Sequence, residues 1–244
     1  MTLCLIKGIS VCKMEKSHEN QAQFSTRSLG WELGIVLLVQ TLLVLLVVQL
    51  DGMLNLGLGV FEVVGLIFVV LPIVALEWRG RPYERYSIAF GSVKVSLLWT
   101  AVCVLAFFPL IGLLGPFFWG VSFRDFSFVW PQGYTGMIAA QFLIVAIPEE
   151  LFYRGYVLGR LDDIFERRVS FLGVKLGKGF VIQAALFALG HFVIGLHPAR
   201  LLVFFPALAF GFLRYKTRSL LAPVIFHALS NIFMELTRTG FGLQ

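Results

Sequence analysis

The stretch MIAAQFLIVAIPEELFYRGYVLGRL, Met137 to Leu161, decides the fold. It is apolar over more than the roughly 20 residues that a helix needs to cross a bilayer. Yet it carries Glu149, Glu150 and Arg154. Moving ionised groups into hydrocarbon is expensive, so such residues line a protein-enclosed cavity and do chemistry there.

The rest of the chain has the same solvent preference. Of 244 residues, 58% are hydrophobic, mean hydropathy is +0.86 and 25 residues are Phe, which excludes an ordinary soluble domain. The formal charge of +6 reads as loop charge orienting the protein against an anionic inner leaflet. No block of five like charges occurs, so a nucleic-acid-binding tail is not expected and nucleic acid is not an expected partner. Cys4, Cys12 and Cys103 form no CxxC and no metal-ligand spacing. The apolar stretches within residues 1–28 are too short for a signal peptide, and Trp31–Leu50 lacks a small-residue cleavage site after it.

Seven candidate spans follow: 31–50, 57–77, 89–115, 133–157, 179–196, 198–214 and 218–236. The expected fold class is all-α, a polytopic membrane helical bundle of about seven transmembrane helices, within a range of six to eight. The third span is long enough to tilt or to break near Pro109. The expected organisation is a cytosolic tail at 1–28, N-terminal transmembrane helices at 29–132 and a catalytic transmembrane core at 133–244, all in one integral domain. Alternate segments between spans carry fifteen and three Lys or Arg residues. The positive-inside rule then puts the N-terminus in the cytoplasm and the C-terminus outside, in a cell inner or plasma membrane.

The loop after the fourth span has its own pattern. Leu158, Leu161, Ile164, Phe165 and Leu172 recur at three- and four-residue steps among Asp162, Asp163, Arg167 and Arg168. That suits an interfacial helix at 158–176 on the cytoplasmic surface, with a simple extension of the preceding span as the alternative.

Adjacent helical positions point about 100° apart, so Glu149 and Glu150 cannot share a face. Glu150 and Arg154 stand at i, i+4 with the acid first, the favoured order for an ion pair. Glu149 is then left to face a cavity as a base. Pro148 precedes both and removes a helical hydrogen bond, which opens space for water. His191 follows Phe187 by four residues, and Asn231 follows His227 by four, so each pair shares a face. Taken singly, the His and Asn side chains could be helix–helix glue.

Depth joins them. In the charge-derived topology Glu149, His191 and His227 lie roughly 12, 18 and 14 Å from the cytoplasmic end of their spans at about 1.5 Å per residue. Asn231 sits one turn beyond His227. A carboxylate, two imidazoles and an amide at one depth can activate water and stabilise an oxyanion: Glu149 as base with His191 holding the water, His227 and Asn231 as donors to the oxyanion. The same Glu149, His191 and His227 could instead bind zinc with one open position. The chain has no HExxH, GxSxG or GxGD.

Three motif pieces run in order: Glu149-Glu150-Leu-Phe-Tyr-Arg154, Phe187-Ala-Leu-Gly-His191 and His227-Ala-Leu-Ser-Asn231. Over roughly residues 139–235 the chain thus resembles the CPBP (CAAX protease and bacteriocin-processing, or Abi) family, whose pattern is EExxxR, FxxxH and HxxxN. The resemblance implies a metal-free glutamic intramembrane endopeptidase with catalytic Glu149, His191, His227 and Asn231, supported by Glu150, Arg154 and Phe187. It implies the bilayer and a membrane-anchored protein or peptide as partners, the substrate being lipidated or bearing a C-terminal sorting signal. Two other classes compete: a non-catalytic immunity or binding protein on the same fold, and a proton-coupled transporter using Glu62, Glu149 and the histidines. The polar groups cluster in the C-terminal half and no internal repeat is obvious, which argues against the transporter.

Overall fold

The computed structural model describes residues 26–54, 59–80, 91–130 and 133–243. The expected tail at 1–28 lies outside them except for its last three residues, which already belong to the first helix. The described chain is a bundle of seven long helices. They are α1 (Thr26–Leu54), α2 (Val60–Trp78), α3 (Val93–Trp119), α4 (Tyr134–Ile164), α5 (Lys178–Gly195), α6 (Phe204–Thr217) and α7 (Leu221–Gly240). A 3₁₀ turn at Pro198–Val203, capped by the His197 side chain, leads into α6.

Five of these, and α6 taken together with the turn before it (Pro198–Thr217), are long and apolar enough to cross a membrane. The seventh, α7, has 20 residues but spends several on His227, Ser230, Asn231, Glu235 and Arg238. The all-helical bundle is therefore as expected, with α7 as a polar-faced seventh member. Helices dominate because a backbone in lipid must satisfy its own hydrogen bonds. Burial is inverted relative to a soluble protein: on α1, Leu38, Leu42 and Leu46 are 59%, 56% and 53% exposed, whereas Glu32 and Gln40 are buried. Helix α3 runs unbroken through Pro109 and Pro116, so the break considered near Pro109 is absent.

The interfacial helix at 158–176 is not formed. Leu158–Ile164 is the last part of α4, and a two-stranded antiparallel hairpin follows, β1 (Arg167–Phe171) and β2 (Val174–Gly177). Leu172 and Gly173 both have positive φ, 45° and 78°, as a two-residue hairpin loop requires. Val169, Phe171, Val174 and Leu176 are strand formers that pair across the ladder. The helical periodicity seen in sequence was the end of α4 plus a turn leucine. The Phe171 ring meets Phe212 of α6 at 5.9 Å, and Lys216 donates to the Leu172 carbonyl while its ammonium lies 4.6 Å from the Trp99 ring of α3. The hairpin thus shares one end of the bundle with the end of α6 and the start of α3.

Polar pairing and close backbone approach help bind the N-terminal helices to α4. Glu32 of α1 is buried against Arg160 at 3.0 Å and accepts from the Tyr156 hydroxyl at 3.1 Å. Gly65 of α2 lies so close to α4 that a Cβ there would stand 2.8 Å from the Ile144 carbonyl oxygen. Pro148 has no N–H to offer that carbonyl four residues back, and α2 packs over the oxygen at Gly65. Gly65→Ala is expected to force the helices apart and destabilise the protein by about 1–3 kcal/mol, read as a lowered thermal midpoint in detergent. An unchanged midpoint would show that the contact relaxes without cost.

Candidate active site

Helix α4 is irregular where the carboxylates sit. Gln141–Ala146 and Leu151–Val157 are π-helical, on either side of the short α segment Ile147–Glu150. Pro148 breaks the ordinary i to i−4 ladder, and wider turns absorb the displaced bonds. Such widened turns alter which way successive side chains face, which matters for two adjacent glutamates.

Glu150 faces inward and is fully buried. Its Oε1 accepts from Arg154 Nη1 at 2.7 Å and from His227 Nδ1 at 2.8 Å. The guanidinium of Arg154 is fully buried too, with its carbon 4.4 Å from the Phe187 ring centroid and 4.7 Å from that of Phe210. Its Nη2 reaches the Ala207 carbonyl at 3.5 Å. Phe210 also stacks on the His227 ring, at 4.7 Å and 17°. One aromatic plate therefore carries both the cation and the imidazole. These contacts hold the buried ions by charge pairing and cation–π attraction.

Glu149 has a different environment. Its side chain is 16% exposed, and its Oε2 stands 3.9 Å from His227 Nε2. That oxygen is buried and accepts no hydrogen bond. His227 lies between the two carboxylates, tied to Glu150 and turned toward Glu149. His191 is half-buried, and its Nδ1 donates to the Phe187 carbonyl at 3.0 Å, which leaves Nε2 as the lone-pair nitrogen of the neutral ring. The Phe187 ring packs against both imidazoles, 4.5 Å from His191 and 5.9 Å from His227. Asn231 Nδ2 donates to Gln141 Oε1 at 2.8 Å, across from α7 to α4.

Six of the seven residues singled out by sequence thus lie in one connected set of contacts. Asn231 joins the same pair of helices through Gln141. Three features were not read from sequence. The second bond of Glu150, to His227, links residues 77 apart in the chain. Gln141 was visible as a lone amide in an apolar run. Phe210 had no signal among 25 Phe residues.

Among the described residues, no three His, Cys, Asp or Glu side chains form a metal-sized group. The Nδ1 bonds of His191 and His227, to a backbone carbonyl and a carboxylate, leave the Nε2 atom of each ring available.

Residues 131–233 match the family model of the type II CAAX prenyl endopeptidase Rce1-like proteins. No curated protein and no solved structure gives a match. The Rce1-like segment runs from just before α4 into α7 and contains every site residue named above. Helices α1 to α3 lie outside it but build its walls. Phe68 of α2 packs on Phe152 at 5.2 Å, and Phe107 of α3 on Phe226, next to His227, at 5.7 Å.

Proposed function

We propose that this Rce1-like membrane protein is an intramembrane endopeptidase of the metal-free glutamic type, cleaving a membrane-anchored protein or peptide that is lipidated or carries a C-terminal sorting signal. The observation that carries the reading is the unequal state of the two carboxylates. Glu150 is tied through its Oε1 to both Arg154 and His227 and keeps only its Oε2 unpartnered, whereas Glu149 makes no hydrogen bond to the described residues at all and its Oε2 is buried without a partner. A carboxylate so left is free to take a proton.

In this reading a water gives one hydrogen bond to Glu149 and one to His191 Nε2. It attacks the scissile carbonyl carbon while Glu149 takes its proton. The oxyanion is met by donors on α7, His227 Nε2 and Asn231 Nδ2. Because His227 Nδ1 already donates to Glu150, a donor at Nε2 means that the acting form is imidazolium. Glu149 then passes its proton to the leaving amine as the C–N bond breaks. Gln141 occupies one N–H of Asn231 and fixes the amide plane, so the second N–H is aimed. The charge-derived orientation puts this chemistry in the cytoplasmic half of the bilayer.

The test uses purified full-length protein and a panel of membrane-anchored peptides. His227→Ala and Asn231→Ala should each lower kcat by about 10²–10³, the usual effect of losing an oxyanion donor. Wild-type rates in both would sink the donor assignment. A chelator should leave activity intact; loss that zinc restores would overturn the metal-free mechanism.

A further inference from the structure

Tyr153 lies one turn beyond Glu149 on α4, on the same side of the helix. It is 3% exposed. Phe68, Phe152 and Phe187 fix its ring, with centroids at 5.9, 5.1 and 4.9 Å. Its hydroxyl has no hydrogen-bond partner among the described residues. A Cβ added to Gly190 would stand 2.7 Å from the Tyr153 oxygen, so that oxygen lies over the α-carbon immediately before His191. The phenol therefore reaches from the Glu149 helix to the His191 helix, and the Phe187 ring packs against both it and the His191 ring.

The Tyr153 hydroxyl is not among the fully enclosed polar atoms that lack a partner, so a small molecule can reach it. Here the ring is held by three others and the oxygen is held by none. The partner that fits is one that comes and goes during turnover.

We propose that Tyr153 is a further catalytic residue, its O–H donating to the oxygen of the attacking water. This rests on the endopeptidase reading. The two hydrogens of that water go to Glu149 and His191 Nε2. One lone pair must face the carbonyl carbon, and the remaining one accepts from Tyr153, which completes a tetrahedral set. During attack the water oxygen bonds to carbon, its proton passes to Glu149 and the carbonyl electron pair moves to the oxyanion. On collapse the C–N bond breaks and the proton on Glu149 goes to the amine. Tyr153 keeps its proton throughout and contributes by orienting the nucleophile.

The experiment compares Tyr153→Phe with wild type, full-length, on a membrane-anchored peptide. The ring contacts remain in Tyr153→Phe, so the thermal midpoint should not move. The expected result is a kcat about 10- to 100-fold lower with KM within about twofold. A kcat within twofold of wild type overturns the proposal, and so does a raised KM at unchanged kcat. Gly190→Ala in the wild-type background supplies a second arm that decides the matter if Tyr153→Phe is unstable: the added methyl displaces the phenol oxygen, kcat should fall about 10-fold, and a wild-type kcat overturns the proposal. The added methyl meets the phenol oxygen in wild type but not in the Tyr153→Phe background, so the two losses should fall well short of additive. Full additivity overturns the proposal. Glu149→Gln run in parallel separates the failures. An active Glu149→Gln sinks the endopeptidase reading itself, whereas an inactive one beside a wild-type Tyr153→Phe sinks only the role of Tyr153.

Discussion

Glu149→Gln is expected to reduce peptide cleavage by about 10³-fold or more, within the upper range for loss of a general base, while the protein keeps its thermal midpoint. The amide matches the carboxylate in shape and can still contact water. It cannot accept the proton that makes water a nucleophile. The stability argument is equally direct, since Glu149 Oε2 makes no hydrogen bond that the substitution would break. The loss should fall on kcat with KM little changed. Single-turnover cleavage of a membrane-anchored peptide, alongside thermal unfolding in detergent, reads both quantities. A Gln variant that cleaves within a few-fold of wild type would remove Glu149 from the chemistry.

Arg154→Met should behave in the opposite way and unfold the protein first. The guanidinium and the Glu150 carboxylate are both fully buried and meet at 2.7 Å. Breaking such a pair from one side leaves an uncompensated charge and costs about 3–5 kcal/mol. That is a large part of a domain's usual stability margin. Glu150→Gln together with Arg154→Met should restore part of the loss, because no charge is then stranded. Arg154→Lys should not restore full stability, because a compact, strongly hydrated ammonium replaces the weakly hydrated guanidinium whose carbon sits close to both the Phe187 and Phe210 rings. The readout is the thermal midpoint of each purified variant. If Arg154→Met and wild type unfold at the same temperature, the pair contributes nothing. Activity should fall in Arg154→Met as well, because Glu150 also holds the Nδ1 of His227.

These two expectations separate adjacent residues, and that separation was legible from sequence. Helical geometry puts Glu149 and Glu150 on different faces, and the i, i+4 spacing gives Glu150 to Arg154. The bundle itself was legible too, because runs of some 20 apolar residues have only one way to cross a bilayer. Residues that fell to the wrong side of the reading did so for local reasons. Leu158, Leu161 and Ile164 kept helical spacing, but Phe171, Leu172 and Gly173 belong to strand and turn, where the tight loop conformation outweighs the periodicity.

What sequence by itself determined is whatever depends on spacing along one helix: the spans, the Glu150–Arg154 pair, the shared face of His227 and Asn231. What only the tertiary structure decided is whatever depends on the approach of different helices. Examples are the Glu150–His227 bond, the Phe210 plate under both Arg154 and His227, the Gln141–Asn231 bond and the closeness of Tyr153 to Gly190. The reason is physical. Spacing within a helix follows from backbone hydrogen bonding, which every residue shares. Contacts between helices in lipid follow from close packing of particular side chains, and there one glycine, or one phenylalanine among many, sets where the helices meet.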